Sequence, residues 1–139
     1  IDVYKELMVI RPKTPSQDYY TLGRALYFNN QFVEADSIFS KLIELQPNMT
    51  VGYLWEARTK SNLDPESVNG LAKPYYEKLI EKASINPEKS RSDLVEAYSY
   101  LGYYHLLKEQ PVVSKSYWKK VLELNPDDAK AKEALKAFN

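Results

Sequence analysis

Apolar residues recur along this chain at the three- and four-residue spacing of one helix face, and one such stretch is written twice. DYYTLGRALYFNN occupies residues 18–30, and EAYSYLGYYHLLK occupies residues 96–108. Each stretch predicts an amphipathic helix, because the large apolar side chains fall on one side of a 3.6-residue turn. Polar clusters follow both stretches, Asn29-Asn30-Gln31 and Lys108-Glu109-Gln110. These clusters predict short turns that lead into a second helix.

The two stretches and the segments after them align without a gap at a fixed offset of 79 residues. The aligned positions carry the same or a similar residue type: Tyr19 and Tyr98, Leu22 and Leu101, Gly23 and Gly102, Ala35 and Ser114, Phe39 and Trp118, Leu42 and Val121, Leu45 and Leu124, Pro47 and Pro126. One spacing shared by so many positions is typical of an internal structural repeat.

The glycines and prolines of this pattern have separate structural meanings. Glycine inside a helix costs roughly 1 kcal/mol relative to alanine, so Gly23 and Gly102 predict that a neighbouring helix backbone comes close. Proline lacks an amide donor and disfavours helical geometry in the preceding residue. We therefore expect helices to end just before Pro47, Pro87 and Pro126, and we expect no strand.

The order aromatic, x2, Leu-Gly, then Ala-x3-aromatic and a final proline resembles the tetratricopeptide repeat, a helix-turn-helix unit of about 34 residues. The resemblance implies an all-α fold, a right-handed α-solenoid of helix-turn-helix repeats, and covers nearly the whole chain. Because two units of 34 residues do not fill the offset, an enlarged unit is expected between the two matched copies.

The resulting domain prediction is a single tetratricopeptide domain over residues 1–139. Residues 62–70 are expected to hold a short turn of helix that begins at Asp64-Pro65. Since the chain starts at Ile1 rather than methionine, we also expect that an N-terminal portion has been removed. The predicted parts are the tail of an upstream partial repeat at 1–12, repeat 1 at 16–48, enlarged repeat 2 at 50–88, repeat 3 at 92–126 and a capping helix at 127–139.

Charge and cysteine content argue against several classes of function. Nineteen basic and nineteen acidic residues give zero net charge, so no overall field attracts nucleic acid. The chain has no cysteine, which removes thiolate catalysis and cysteine-ligated metals. No apolar run reaches the roughly 18 residues of a membrane span. We expect no cofactor, no metal and no direct insertion into a membrane.

Candidate catalytic residues are few. The chain has one histidine, His105, and no second histidine or cysteine with which it could form a metal site or a nucleophilic dyad. A packed position on a helix face is the favoured interpretation. Glu44, Glu81 and Glu123 stand near predicted helix ends, where we expect pairs with lysines such as Lys41 and Lys120. The sequence therefore predicts a protein without enzyme activity.

The candidate binding site follows from the resemblance and from helical register. Tetratricopeptide domains stack their first helices along a concave groove that receives peptides or partner helices. The residues predicted to line this groove are Tyr20, Arg24, Tyr27 and Phe28 in the first repeat, Glu56 and Lys60 in the second, and Ser99 and Tyr103 in the third. An arginine among aromatic residues favours a partner that presents an acidic or terminal carboxylate group.

The first functional hypothesis is a scaffold that binds a protein or peptide in the groove. A structural spacer or assembly module without a discrete groove is the alternative, and a small-ligand or glycan site is a third. Self-association through an exposed N-terminal half-repeat is a further option. The stretch GLAKPYYEKLIEKA also resembles uncharacterised bacterial tetratricopeptide proteins, which leaves the compartment open between the cytoplasm and the periplasm or envelope.

Overall fold

The computed structural model describes residues 14–138, and 74% of these residues are helical, with no strand among them. The predicted all-α fold is therefore confirmed for this part of the chain. Its helices are α1 (Pro15–Phe28), α2 (Phe32–Leu45), α3 (Thr50–Leu63), α4 (Lys73–Ala83), α5 (Arg91–Leu107), α6 (Pro111–Leu124) and α7 (Ala129–Lys136).

The helices fall into two compact units, with the boundary between Ala72 and Lys73. In unit 1, α2 packs against both α1 and α3. In unit 2, α5 packs against α4 and α6, and α6 packs against α7. The boundary lies inside the predicted second repeat, residues 50–88, so each unit holds one of its two helices. The partial repeat predicted at residues 1–12 lies outside the described residues.

The offset of 79 residues seen in the sequence also relates the helices of the two units. Helix α2 begins at Phe32 and ends at Leu45, and α6 begins and ends at the equivalent positions. The turns before these helices match as well, because Asn30 and Glu109 both adopt positive φ angles, 61° and 58°. Helices α1, α2 and α3 thus correspond in order to α5, α6 and α7.

Helix α1 begins at a capping box and buries the apolar face that its sequence predicts. The Thr14 hydroxyl accepts the Gln17 N–H at 3.3 Å, and the Gln17 side chain accepts the Thr14 N–H in return. These bonds satisfy two backbone donors that a helix start leaves unpaired. Leu22 and Leu26 then point into the core of unit 1.

Gly23 makes room for an aromatic side chain of the paired helix. A Cβ atom at this position would lie 2.5 Å from Cε1 of Phe39, whose ring is fully buried. Gly102 has the same role in unit 2, where a Cβ would lie 2.6 Å from Cε2 of Trp118. The predicted close approach is therefore made by a ring that lies on the glycine, and not by a neighbouring backbone.

The small residue on the second helix differs between the units. Ala35 is buried in unit 1, whereas its equivalent Ser114 is buried in unit 2. The Ser114 hydroxyl donates a hydrogen bond of 2.6 Å to the carbonyl oxygen of Gly102. This bond satisfies a buried polar group that alanine would not introduce.

We expect Gly23→Ala to lower the free energy of unfolding by about 1–2 kcal/mol, measured by chemical denaturation. Overpacking a core typically costs about 1–3 kcal/mol, which exceeds the gain of roughly 1 kcal/mol from replacing a helical glycine by alanine. Gly102→Ala should behave in the same way. A Gly23→Ala variant that is more stable than the parent would contradict this assignment.

Two of the three helix ends predicted from prolines lie where expected. Helix α2 ends at Leu45, two residues before Pro47, and α6 ends at Leu124, two residues before Pro126. Helix α4 ends earlier, at Ala83, and turns separate it from Pro87. Pro74 is accommodated within the first turn of α4, where amide groups have no partner inside the helix.

The short helical turn predicted within residues 62–70 is wrong. Helix α3 continues to Leu63, and no helix forms before Lys73. Ser67 and Gly70 adopt positive φ angles of 55° and 63°, which a right-handed helical turn does not contain. The Asp64 carboxylate instead folds over this loop and accepts the N–H groups of Asn69 at 3.4 Å and Leu71 at 3.1 Å.

Candidate functional site

Three predicted groove residues of α1 surround one exposed guanidinium group. The Cζ atom of Arg24 lies 5.3 Å from the ring centre of Tyr20 and 5.7 Å from that of Phe28. Positions 20, 24 and 28 are successive turns of the same helix face, which explains why their side chains meet. Phe28 is 64% exposed, so this face presents both a cation and an apolar ring to solvent.

Trp55 of α3 completes the cluster, although sequence reasoning did not single it out. Its ring centre lies 5.3 Å from the Arg24 Cζ and 4.7 Å from the Cζ of Arg58. Cations at this distance from an indole ring are attracted by the negative face of the ring. The indole also stacks on the buried ring of Phe39, at 5.9 Å between centres. We call Tyr20, Arg24, Tyr27, Phe28, Trp55 and Arg58 the arginine–aromatic cluster.

Tyr27, the fourth predicted residue of α1, packs between the helices of unit 1. Its ring meets Phe28, Phe32 and Trp55 edge-on, with ring centres 5.3 to 5.4 Å apart. The hydroxyl accepts a hydrogen bond of 3.0 Å from the Asn62 side chain of α3. Tyr27 therefore holds the cluster in place from within, while Arg24 and Phe28 form its exposed part.

Glu56 does not face a groove, contrary to its predicted position. The side chain has no exposed surface and lies against α2, where one carboxyl oxygen accepts the Ser40 hydroxyl at 2.7 Å. Burial raises the pKa of Glu56 from 4.5 to about 8, and the neighbouring Asp36 carboxylate contributes in the same direction. The carboxyl group is therefore protonated at neutral pH and contacts no solvent.

Lys60 also packs toward α2 and not into the arginine–aromatic cluster. Its ammonium group lies 2.9 Å from a carboxylate oxygen of Asp36, and both side chains are about three-quarters buried. Together with Glu56 and Ser40, this pair forms a polar layer between α2 and α3. Helical register placed Glu56 and Lys60 on one face correctly, but that face meets the neighbouring helix.

Ser99 and Tyr103 lie in unit 2, on a cleft of about 970 Å³ formed mainly by α5 and α7. Apolar atoms of Val95, Trp118 and Ala134 also line this cleft. Tyr103 is 45% exposed at its edge. The structure thus places the predicted site residues of α5 at a concave surface, as the repeat register indicated.

The tyrosines and acids of this cleft are linked to each other. Tyr76 of α4 stacks on Tyr100, with 4.7 Å between ring centres, and its hydroxyl donates to Glu96 at 2.9 Å. Asp128 and Glu133, from the start and the middle of α7, supply two further carboxyl groups. We call this surface the α5–α7 cleft.

The residues weighed as catalytic candidates have structural surroundings. His105 is half-buried and stacks on Tyr117, with ring centres 5.6 Å apart, as expected for a packed histidine. Glu81 pairs with Lys78 at 3.1 Å, and Lys78 and nearby Lys82 lower the pKa of its carboxyl group.

Lys41 and Lys120, which were expected to pair with glutamates, lie over tyrosine rings. The Lys41 ammonium is 5.8 Å from the ring centre of Tyr19, and the Lys120 ammonium is 5.5 Å from that of Tyr98. The two contacts occupy equivalent positions in the two units. Over residues 14–138, histidine and carboxylate side chains form no group of three that would suit a metal ion.

Comparison with solved structures assigns the fold. The chain is similar to the C-terminal part of a TPR repeat-containing protein from Cytophaga hutchinsonii, with 44% identity and a TM-score of 0.85 over 90% of its length. The chain has the tetratricopeptide-repeat fold. It spans 49% of that solved chain. No protein-family model matches the tetratricopeptide chain, and a search of curated proteins found no similar sequence.

This fold sets the broad class of function. Tetratricopeptide repeats suggest a protein–protein interaction scaffold with protein partners, and such folds are generally not enzymes. Within the described part of the tetratricopeptide chain, no helix has the length and apolar character needed to cross a bilayer.

Proposed function

We propose that this tetratricopeptide protein is a non-catalytic scaffold that binds a peptide or partner segment at its concave surface. The observation that carries the proposal is the exposed guanidinium group of Arg24, which is held among the rings of Tyr20, Phe28 and Trp55. Exposed arginine and aromatic side chains are the residue types that most often dominate the energy of protein interfaces.

The chemistry of the cluster favours a partner segment with a carboxylate and an adjacent apolar side chain. A guanidinium group can hold a carboxylate through two parallel hydrogen bonds. Arg58 lies on the same indole ring and adds positive charge. Phe28, which is largely exposed, offers an apolar surface beside the charge. An acidic side chain or a chain terminus would supply the carboxylate.

Arrangement in advance of binding also supports the proposal. The Tyr27 ring contacts Phe28 and Trp55, and its hydroxyl is bonded to Asn62. Side chains already fixed by their neighbours lose less conformational freedom when a partner binds. The cluster can therefore bind a segment without first ordering its own rings.

Arg24→Ala is expected to weaken partner binding tenfold or more without unfolding the domain. Loss of a hydrogen bond to a charged group typically costs about 1.5–3 kcal/mol. Partners would be captured on the immobilised domain and identified, and their affinities for the parent and the variant would be measured by calorimetry. Circular dichroism would confirm that the variant remains helical.

Lys41→Ala is the matched control for this experiment. Lys41 is also an exposed cation over a tyrosine ring, but its partner ring is Tyr19, outside the arginine–aromatic cluster. Affinity should be unchanged in this variant. If both Arg24→Ala and Tyr27→Ala bind partners as the parent does, the binding surface lies on the convex face or on the loop at 62–70. Failure to retain any partner would favour the structural spacer.

A further inference from the structure

The two units differ at one equivalent space beside their helix hairpins. In unit 1 this space is a cleft of about 250 Å³, lined by residues that include Gln17, Tyr20 and Val51. In unit 2 the equivalent positions belong to the α5–α7 cleft of about 970 Å³. Because the helices of the two units correspond in order and length of turn, the difference arises from side chains.

Two large aromatic residues of unit 1 are replaced by small residues in unit 2. Trp55 corresponds to Ala134, and Tyr20 corresponds to Ser99, at the offset of 79 residues. Trp55 is buried against Phe39 and fills the space over that ring. Ala134 packs on Trp118, the equivalent of Phe39, and leaves the space beside it open.

The same comparison shows that the larger cleft has gained negative charge. Three lining acids, Glu96, Asp128 and Glu133, replace Gln17, Met49 and Leu54 of unit 1, none of which is charged. The described lining contains one basic side chain, Lys130. A cavity with several acids at its edge lowers the electrostatic energy of a cation and raises that of an anion.

Aromatic side chains line the cleft beside these acids. Tyr103 is 45% exposed, and the Tyr76–Tyr100 stack is fixed by the hydrogen bond from Tyr76 to Glu96. The faces of tyrosine rings attract ammonium and guanidinium groups. Apolar atoms of Val95 and Trp118 can contact the methylene groups of a long basic side chain.

We propose that the α5–α7 cleft is a second subsite, which takes an arginine or lysine side chain of an extended peptide segment. This inference rests on the proposed scaffold function and adds a preference in charge opposite to that of the arginine–aromatic cluster. The basic group pairs with Glu96 and Glu133, and the side chain lies along Tyr103. A carboxylate in the same place would be repelled by three acids.

The test uses three acetylated and amidated heptapeptides that differ only at the centre, with arginine, norleucine or glutamate flanked by leucines. Binding to the protein is followed by heteronuclear NMR at the amides of Ser99, Tyr103 and Lys130. We expect the arginine peptide to bind at least about fivefold more tightly than the norleucine peptide, and the glutamate peptide to bind most weakly.

Glu96→Gln and Glu133→Gln should each reduce the ratio of arginine to norleucine affinity, and the double variant should bring it close to 1. The ratio is insensitive to a general loss of stability, because both peptides bind the same variant. Glu123→Gln, an exposed acid of α6 outside the cleft, should leave the ratio unchanged.

Equal binding of the arginine and norleucine peptides, or no saturable shift with the arginine peptide, would overturn the charge preference. Neither result depends on Arg24, so the scaffold proposal would still be judged by partner capture with the Arg24→Ala variant. Preference for the glutamate peptide would also refute this subsite. If the double Gln variant keeps the parent ratio, the selected cation does not bind at these acids.

Discussion

Phe39→Ala is expected to lower the free energy of unfolding by about 3–5 kcal/mol, the usual cost of truncating a buried phenylalanine. The ring has no exposed surface, stacks on Trp55, and occupies the space that Gly23 leaves open. Since a domain of this size is typically stable by only about 5–15 kcal/mol, the loss is a large share of the total. Urea denaturation followed by circular dichroism measures it.

Val33→Ala is the control for this prediction, because Val33 lies on the same helix and is 74% exposed. Its effect should stay within about 0.5 kcal/mol. A second test combines the variants. In the Phe39→Ala background, Gly23→Ala no longer places a Cβ against a ring, so it should raise stability instead of lowering it. A Gly23→Ala substitution that remains destabilising there would show that the glycine has another role.

Stability should fall as the pH rises from about 5 to about 8, because of Glu56. Burial raises the folded-state pKa of this carboxyl group from 4.5 to about 8, and Asp36 adds to the effect, while Ser40 and Lys60 oppose it. Between these pH values the folded chain binds a proton that the unfolded chain has released. The contribution is therefore fully present below about pH 4.5 and is lost by about pH 8, with a slope of up to about 1.4 kcal/mol per pH unit.

Glu56→Gln should flatten this dependence. Glutamine can still accept the Ser40 hydrogen bond but binds no proton, so the variant should gain on the parent as the pH rises. Glu44→Gln, an exposed position of α2, should keep the slope of the parent. Thermal unfolding at matched ionic strength from pH 5 to pH 8 compares the three proteins. An unchanged slope in Glu56→Gln would assign the pH dependence to other groups.

The sequence predicted the repeated core because each position of the pattern depends on a local steric rule. Gly23 and Gly102 must admit a ring, and Phe39 and Trp118 supply those rings. The offset alone also predicts the equivalent turns at Asn30 and Glu109. These features follow from helix pairing within one hairpin, so spacing was sufficient to find them.

The candidate site was predicted less completely because it depends on packing between hairpins. Tyr20, Arg24, Tyr27 and Phe28 do come together, but the ring that joins them, Trp55, comes from the next helix. Helix α3 buries residues around much of its circumference, including Gly52, Trp55 and Glu56. A helix without one clear apolar face gives no sequence signal for which side is open, and Glu56 and Lys60 were placed on the wrong one.

The match between α1–α3 and α5–α7 changes what counts as the unit of duplication in this molecule. The repeated piece is a 79-residue cassette and not a single helix pair, since the offset joins both hairpins and the helices that follow them. Two cassettes with the same backbone plan can diverge independently in their side chains. One has kept its interior filled with tryptophan, and the other has opened it. Arrays extended by whole cassettes would therefore add clefts of chosen charge without altering the hairpins that carry them.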